Sequence, residues 1–394
     1  MAIKTVPIHP PALRWAREEI GLTLEKAVAK TKFDIAQLQK WEDGEEKISL
    51  PQAKKLAEKY KVSLPFLYLK NIPKDHQFEK LIDFRRDNEK HFYSDRLCLA
   101  IKTARSRQEW MSNILQTEGK QPLNWLGAFD VETDAETIAI ECKNWLNVNS
   151  AEIAQLKDGK EALAYWISKV ENKGVLVAVN HTHSAYRVDR KEYSGLVLHD
   201  DYAPLILLNP QDNPSRRIFT LIHELSHLLL KQDSSISLIN FRMNYSEYDV
   251  IEVLCNKIAS TILVDKEFIK NNWSVEKAPI DSINFFTHQF NISHSAIAVA
   301  VKTLGLISQN SLDEILNFYD EQYRKNLSKP QGGRTVPDKQ TLDRCGRLLT
   351  TQVLNAYEQG SINASEVYDV LGMKLKYLGA LSKRLGFPLH RWVS

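Results

Sequence analysis

The chain has 394 residues, 43% hydrophobic and 26% charged, which is enough apolar side chain for two or three cores and excludes a largely disordered protein. No stretch approaches the roughly 20 uninterrupted apolar residues that span a bilayer, and the opening MAIKTVPIHPPALRW lacks the apolar run of a secretory leader, so a soluble, cytoplasmic protein with no membrane partner is expected. The formal net charge of +3 is uneven, with +4 over residues 1–70, +5 over residues 329–394 and −6 between them; mildly basic ends suit either a nucleic-acid contact or ordinary solvated surface.

From Ala12 to Leu69 the pattern predicts five short helices with tight connections. Leu13, Ala16 and Ile20 share one face of the first, and Gly21 stops it. Thr23 is the natural N-cap of LEKAVAKT, and Asp34 caps DIAQLQKWEDG, which Gly44 ends. Pro51 opens PQAKKLAEKY as a first-turn proline, and SLPFLYL starts a last short helix after Ser63. Two helices joined by a very short turn inside a small helical domain make a helix-turn-helix. The stretch from Gly21 to Leu64 resembles the Cro/repressor (XRE) family of DNA-binding domains, whose recognition helix ends in a W/I-E-x-G corner. By that resemblance the base-reading positions hold Leu24, Ile35, Ala36 and Gln37, a set with no arginine to grip guanine. Gln37, Gln39 and Lys40 are then the candidates for a groove edge or phosphate, and Lys30 and Lys32 for the DNA backbone. Two readings stay open: double-stranded DNA as partner, or a surface for dimerisation and partner docking.

Residues 71–130 read as a linker and helical connector. FEKLIDFRRDNEKHF is charged and helix-compatible, and SDRLCLAIKTARSRQEWMSNIL has apolar residues at helical spacing. Three short runs follow, VLVAVN (175–180), YSGLVLHD (193–200) and PLILLNP (204–210), which predict a small mixed or antiparallel sheet. Cys98, Cys142, Cys255 and Cys345 lie far apart with no CxxC pair, which fits reduced thiols better than a disulfide frame or a thiolate zinc site.

In FTLIHELSHLLL (219–230), His223 and His227 stand four residues apart on a predicted helix, close enough for both imidazoles to reach one ion. Glu224, one residue round, overlooks the open coordination position, and the whole is an HExxH motif. At the centre of an apolar helix, unpaired His and Glu would cost several kcal/mol unless something compensated them, and a bound Zn2+ does so. A catalytic zinc keeps three protein ligands. In DVIEVLCNKIASTILV (249–264), Glu252 heads an inward face with Cys255, Asn256, Ala259 and Leu263, so Glu252 is the candidate third ligand and Asn256 a candidate to orient a ligand. Tyr245, Tyr248, His288 and His294 are candidate oxyanion or substrate contacts, and a peptide substrate is expected to add as a strand to the edge formed by PLILLNP.

The run from Tyr193 to Leu230, with IEVLCNKIASTILV and FFTHQFNISHSAIAVAVKTLGLI after it, is similar to the ImmA/IrrE metallopeptidase family over about residues 170–308. That resemblance implies His223, His227 and Glu252 as zinc ligands and Glu224 as general base. The chain departs from the family at Ala300, where an arginine is frequent. The fusion resembles regulator-peptidases found beside toxins, so the expected partners are a protein substrate or a cognate toxin or repressor, with homodimerisation open. The rival reading is a non-catalytic regulator or antitoxin with a structural zinc.

After SKPQGGRTVPD (328–338), a Gly/Pro linker, the tail reads as a separate helical unit, TLDRCGRLLTTQVLNAYEQG, NASEVYDVLGM and KYLGALSKRLG, that caps the peptidase, dimerises or binds a partner. The expected fold class is α+β, mostly α. The expected division is a helix-turn-helix over 1–72, a helical connector over 73–130, a zincin-like metallopeptidase domain with a small sheet over 131–308, and a C-terminal helical domain over 309–394.

Overall fold

A computed structural model describes residues 5–20, 22–60, 62, 64–71, 82–83, 94–180, 187–230, 235–237, 250–327 and 336–390. It divides into two compact units, and no helix among the described residues is long and apolar enough to cross a membrane.

The first unit holds β1 (Thr5–Val6), α1 (Pro10–Glu18), α2 (Leu24–Thr31), α3 (Ile35–Asp43), β2 (Ile48–Ser49) and α4 (Leu50–Tyr60), followed by a short 3-10 helix, Leu64–Tyr68. The predicted caps form: Thr23 accepts from the Lys26 N–H, Asp34 accepts from the Ala36 N–H at 3.0 Å, and Gly44, at φ 79°, closes α3. Leu13, Ala16, Ile20, Leu38, Trp41, Leu56, Tyr60 and Leu67 make the core. At its edge the buried Arg17 guanidinium grips Glu42 with two hydrogen bonds, of 2.7 and 2.8 Å, so burying Glu42 of the W-E-x-G corner leaves no lone charge. Gly21 and Ser63 lie outside the described residues.

The remaining elements are β3 (Ile82–Asp83), α5 (Asp95–Thr117), α6 (Ala135–Trp145), α7 (Ser150–Ala154), α8 (Gly159–Glu171), β4 (Leu176–Val179), β5 (Gly195–Leu198), β6 (Leu205–Leu208), α9 (Pro214–Leu229), β7 (Ser235–Ser237), α10 (Val250–Leu263), α11 (Lys266–Asn272), α12 (Pro279–Phe290), α13 (His294–Thr303), α14 (Gln309–Leu327), α15 (Pro337–Cys345), α16 (Arg347–Glu358), α17 (Ala364–Leu371) and α18 (Leu378–Leu385). The sheet order is β3-β7-β5-β6-β4, with β4 parallel to β6, and β5 antiparallel to both β6 and β7. Two strands, β3 and β7, were not among the three predicted. At 82–83 the chain is extended, not helical as its charge pattern suggests, because β3 pairs with β7; residues 84–86 lie outside the described set.

PLILLNP forms an interior strand, not the expected edge. Its strand, β6, is hydrogen-bonded on both sides, by β4 and by β5, so it has no free row of N–H and C=O groups to offer a peptide. Helix α9 packs on β5 and β6, with α8 and α10 against it.

The tail is not set apart. Helices α15 and α16 pack on β4, and α16 also meets α8. The connector takes part as well, since Gln108 donates to the Leu198 and Ala203 carbonyls at the end of β5 while Arg107 donates to those of Arg344 and Val370 in the tail. Glu171 closes this junction: its carboxylate accepts from the Leu348 N–H at 3.1 Å, near the start of α16. Burial pushes the Glu171 pKa up to about 7, against the pull of the Leu348 and Arg347 N–H groups and the Arg347 charge. A carboxyl whose folded pKa lies above its unfolded value near 4.5 favours folding while it is protonated. That contribution is complete below the unfolded pKa and is lost as pH rises through about 7. It amounts to about 3 kcal/mol by linkage. Glu171→Gln keeps the acceptor and removes the titration, so the drop in urea midpoint between acidic and mildly alkaline buffer should be smaller in the variant than in wild type. Equal drops would place the pH dependence elsewhere.

Candidate metal centre

Helix α9 starts where Asn213 accepts from the Arg216 N–H at 2.7 Å and Pro214 supplies a preset first turn. From Ile218 to Leu229 every residue is buried; His223, Glu224 and His227 are 0% exposed. The next helix, α10, brings Glu252 in its first turn, 8% exposed, to the same place.

The donor atoms converge. His223 Nε2 and His227 Nε2 are 3.2 Å apart, and they lie 3.3 and 3.0 Å from the two oxygens of Glu252. Tetrahedral coordination with metal–nitrogen bonds of about 2.0–2.1 Å requires a donor–donor spacing of about 3.3 Å. Among the described residues this is the one group of three such side chains close enough to hold an ion. The residues therefore fit zinc in both kind and spacing.

Asn256 is hydrogen-bonded to His223. One turn after Glu252, its Oδ1 sits 3.1 Å from His223 Nδ1; with Nδ1 as the donor, the Nε2 lone pair is left pointing at the centre. Burial alone would hold His223 neutral, but the Glu252 carboxylate outweighs it and raises its pKa. For Glu252 burial pushes upward, and the two imidazoles overcome it, holding the carboxyl far below the usual carboxylate range.

Gly195 was not among the predicted site residues. A Cβ there would lie 2.7 Å from Glu224 Oε1, 2.9 Å from Glu224 Cγ and 2.5 Å from Thr220 Cγ2, so the β5 backbone runs directly against the Glu224 side chain. An isolated glycine inside a strand pattern, as in YSGLVLHD, is the available signal of such a close approach.

Among the described residues, the other candidates are not gathered in this way. Tyr245 and Tyr248 lie outside the described residues. His288 is exposed on α12, and the His294 ring, at the start of α13, stacks on Tyr319 with centroids 4.2 Å apart. Ala300 is buried in α13.

In the first unit, Gln39 and Lys32 are exposed, and Lys32 takes the left-handed conformation at φ 61°. Gln37 and Lys40 share one partner, Glu46, at 2.6 and 2.9 Å, and that hydrogen bond and charge raise the Lys40 pKa. An acid thus occupies two of the groups proposed to meet nucleic acid.

A helix-turn-helix family model matches residues 13–67. The model of peptidase family M78, described as an IrrE N-terminal-like domain, matches residues 174–302, a span containing all four of His223, Glu224, His227 and Glu252. No curated protein matches the chain. The chain joins a helix-turn-helix domain to an IrrE N-terminal-like domain of peptidase family M78.

Proposed function

We propose that the protein is a zinc-dependent regulatory endopeptidase that cuts a specific protein partner, a repressor or a component of a toxin-antitoxin pair. The observation that supports this reading is the convergence of His223, His227 and Glu252 within 4.8 Å, with Glu224 on the same buried helix turn. A site that serves only to stiffen the fold closes its fourth position with another ligand and has no use for a carboxylate beside it.

When bound, zinc supplies a Lewis acid that polarises the scissile carbonyl and acidifies water. The chain's residues do the rest. His223 and His227 hold their Nε2 lone pairs toward the centre, and Glu252 brings the negative charge that balances a divalent ion. Glu224 accepts the proton of the attacking water on its carboxylate and delivers it to the departing amine. The buried surroundings of α9 exclude competing water and strengthen each of these electrostatic contacts.

His223→Ala, His227→Ala and Glu252→Ala should each abolish stoichiometric zinc in the purified protein, read by elemental analysis, with circular dichroism to confirm folding. The substrate would be found by comparing new protein N-termini in cells carrying wild type with those in cells carrying Glu224→Gln. Zinc retained at full occupancy by all three ligand variants would remove the basis of the proposal.

A further inference from the structure

The tail repeats a backbone pattern of the first unit, whose turn also occurs between α12 and α13, with Asn291 at φ 56°, ψ 27° and Ser293 at φ −69°, ψ 147°. Helices α2 and α17 are both eight residues long, and each is capped by a side chain, Thr23 in one and Asn363 in the other. Each ends on a left-handed residue, Lys32 at φ 61°, ψ 25° and Gly372 at φ 62°, ψ 31°. Each turn is three residues long and closes in the same extended conformation, Asp34 at φ −68°, ψ 149° and Lys374 at φ −68°, ψ 137°. The next helical segment starts at Ile35, as α3, in one and at Leu375 in the other, as a 3-10 turn (Leu375–Tyr377) that leads into α18.

The burial repeats in the same register. Setting Ala364 on Leu24 places the buried Ala27, Thr31, Leu38, Trp41 and Glu42 on Val367, Leu371, Leu378, Leu381 and Ser382, all of them buried. It also places the exposed Gln39, Lys40 and Asp43 on the exposed Gly379, Ala380 and Lys383. Residues 363–385 are thus a helix-turn-helix by conformation and packing, with α16 behind them.

Their surface charge is opposite to that of the first copy. Residues 32–46 carry two basic and five acidic side chains, whereas residues 372–386 carry four basic and no acidic ones. Arg384 pairs with Asp338 at 2.8 Å; Lys374, Lys376 and Lys383 are exposed. Gly379 adds an independent sign. A Cβ there would meet nothing within 4 Å, so packing does not require the glycine, which costs the helix stability relative to alanine. Without a side chain there, the helix backbone is open to close approach by another molecule.

We propose that residues 363–385 are the duplex-DNA contact of this protein. Lys374, Lys376 and Lys383 meet phosphates, and the helical segment beginning at Leu375 enters the major groove with Gly379 against the DNA. The inference is independent of the metal centre and of any protease activity.

The test uses the 394-residue chain and a labelled random-sequence duplex, with anisotropy read across a salt series. Neutralising one phosphate contact lowers affinity about eightfold at 0.1 M salt and flattens the log K against log salt slope by about 0.9. The triple variant Lys374→Gln, Lys376→Gln, Lys383→Gln should therefore lose more than about 100-fold in affinity and flatten the slope by about 2 to 3. A matched neutralisation of Lys120, Lys277 and Lys302, exposed elsewhere, should leave both nearly unchanged. Gly379→Ala should raise the thermal midpoint and weaken DNA binding, a pair of opposite signs that misfolding does not produce. The proposal is overturned if the triple variant keeps its affinity and slope, if Lys32→Gln with Lys40→Gln abolishes the slope instead, if single-stranded DNA of equal length binds as well as duplex, or if the wild-type chain fails to bind duplex at low salt.

Discussion

Glu224→Gln should leave the zinc content of the protein unchanged and lower hydrolysis of its substrate by about 10²- to 10⁴-fold, the range typical of removing a positioned general base. Glu224 is not one of the three converging donors, so the amide substitution does not touch the proposed coordination. The two side chains are nearly isosteric, which matters because Gly195 leaves the Glu224 side chain little spare room: even a methyl group on that glycine would approach Oε1 to 2.7 Å. What changes is proton affinity, since an amide cannot accept the proton of the attacking water at neutral pH. Metal content by elemental analysis and substrate cleavage, in cells or with purified components, separate the two effects. Full cleavage by a zinc-loaded Glu224→Gln protein would show that Glu224 is not the general base.

The second large effect is expected at Gly346→Ala, which should destabilise the second unit by about 3–5 kcal/mol, combining a backbone conformation that L-residues avoid with overpacking. Gly346 has φ 74° and ψ 166° and joins α15 to α16. Its missing Cβ is the space taken by the β4 edge: a methyl there would fall on the Val177 carbonyl and within 2.5 Å of Glu171 Oε1. Neither neighbour is free to move, because Val177 is paired to Ile206 in the sheet and Glu171 holds the Leu348 N–H. Urea unfolding should show a lower midpoint with an unchanged slope, and limited proteolysis should show earlier cleavage around residues 336–390. A midpoint equal to wild type would mean that the tail does not depend on this contact.

The two glycines and the candidate metal ligands mark how far the amino-acid order reaches. His223, Glu224 and His227 were legible because one helix carries them all, and the geometry of a helix turn is the same wherever it occurs. The caps at Thr23 and Asp34, the stop at Gly44 and the three Val/Leu/Ile-rich runs were legible for the same reason: each depends on neighbours within a few residues. Glu252 and Asn256 were reachable as an inward face on the following helix, and the structure puts both beside His223, with Glu252 also beside His227.

What tertiary structure alone decided is what long-range pairing decides. PLILLNP reads equally well as an edge or a central strand, since an apolar run says nothing about which partners lie beside it; β4 and β5 took both sides. The charged segment around Ile82 was drawn into a strand by β7, about 150 residues later. The tail reads as detached behind its Gly/Pro linker, yet Gly346, Glu171 and Arg107 tie it to the sheet unit through contacts distant in the chain. The likeness of residues 363–385 to the first helix-turn-helix is carried by two turn conformations and a burial register, with little side-chain identity, so comparing letters does not show it. Local order sets which backbone shapes and which ligands on one helix are available. Only the folded chain sets which of them meet, because a contact between distant residues depends on everything folded between them.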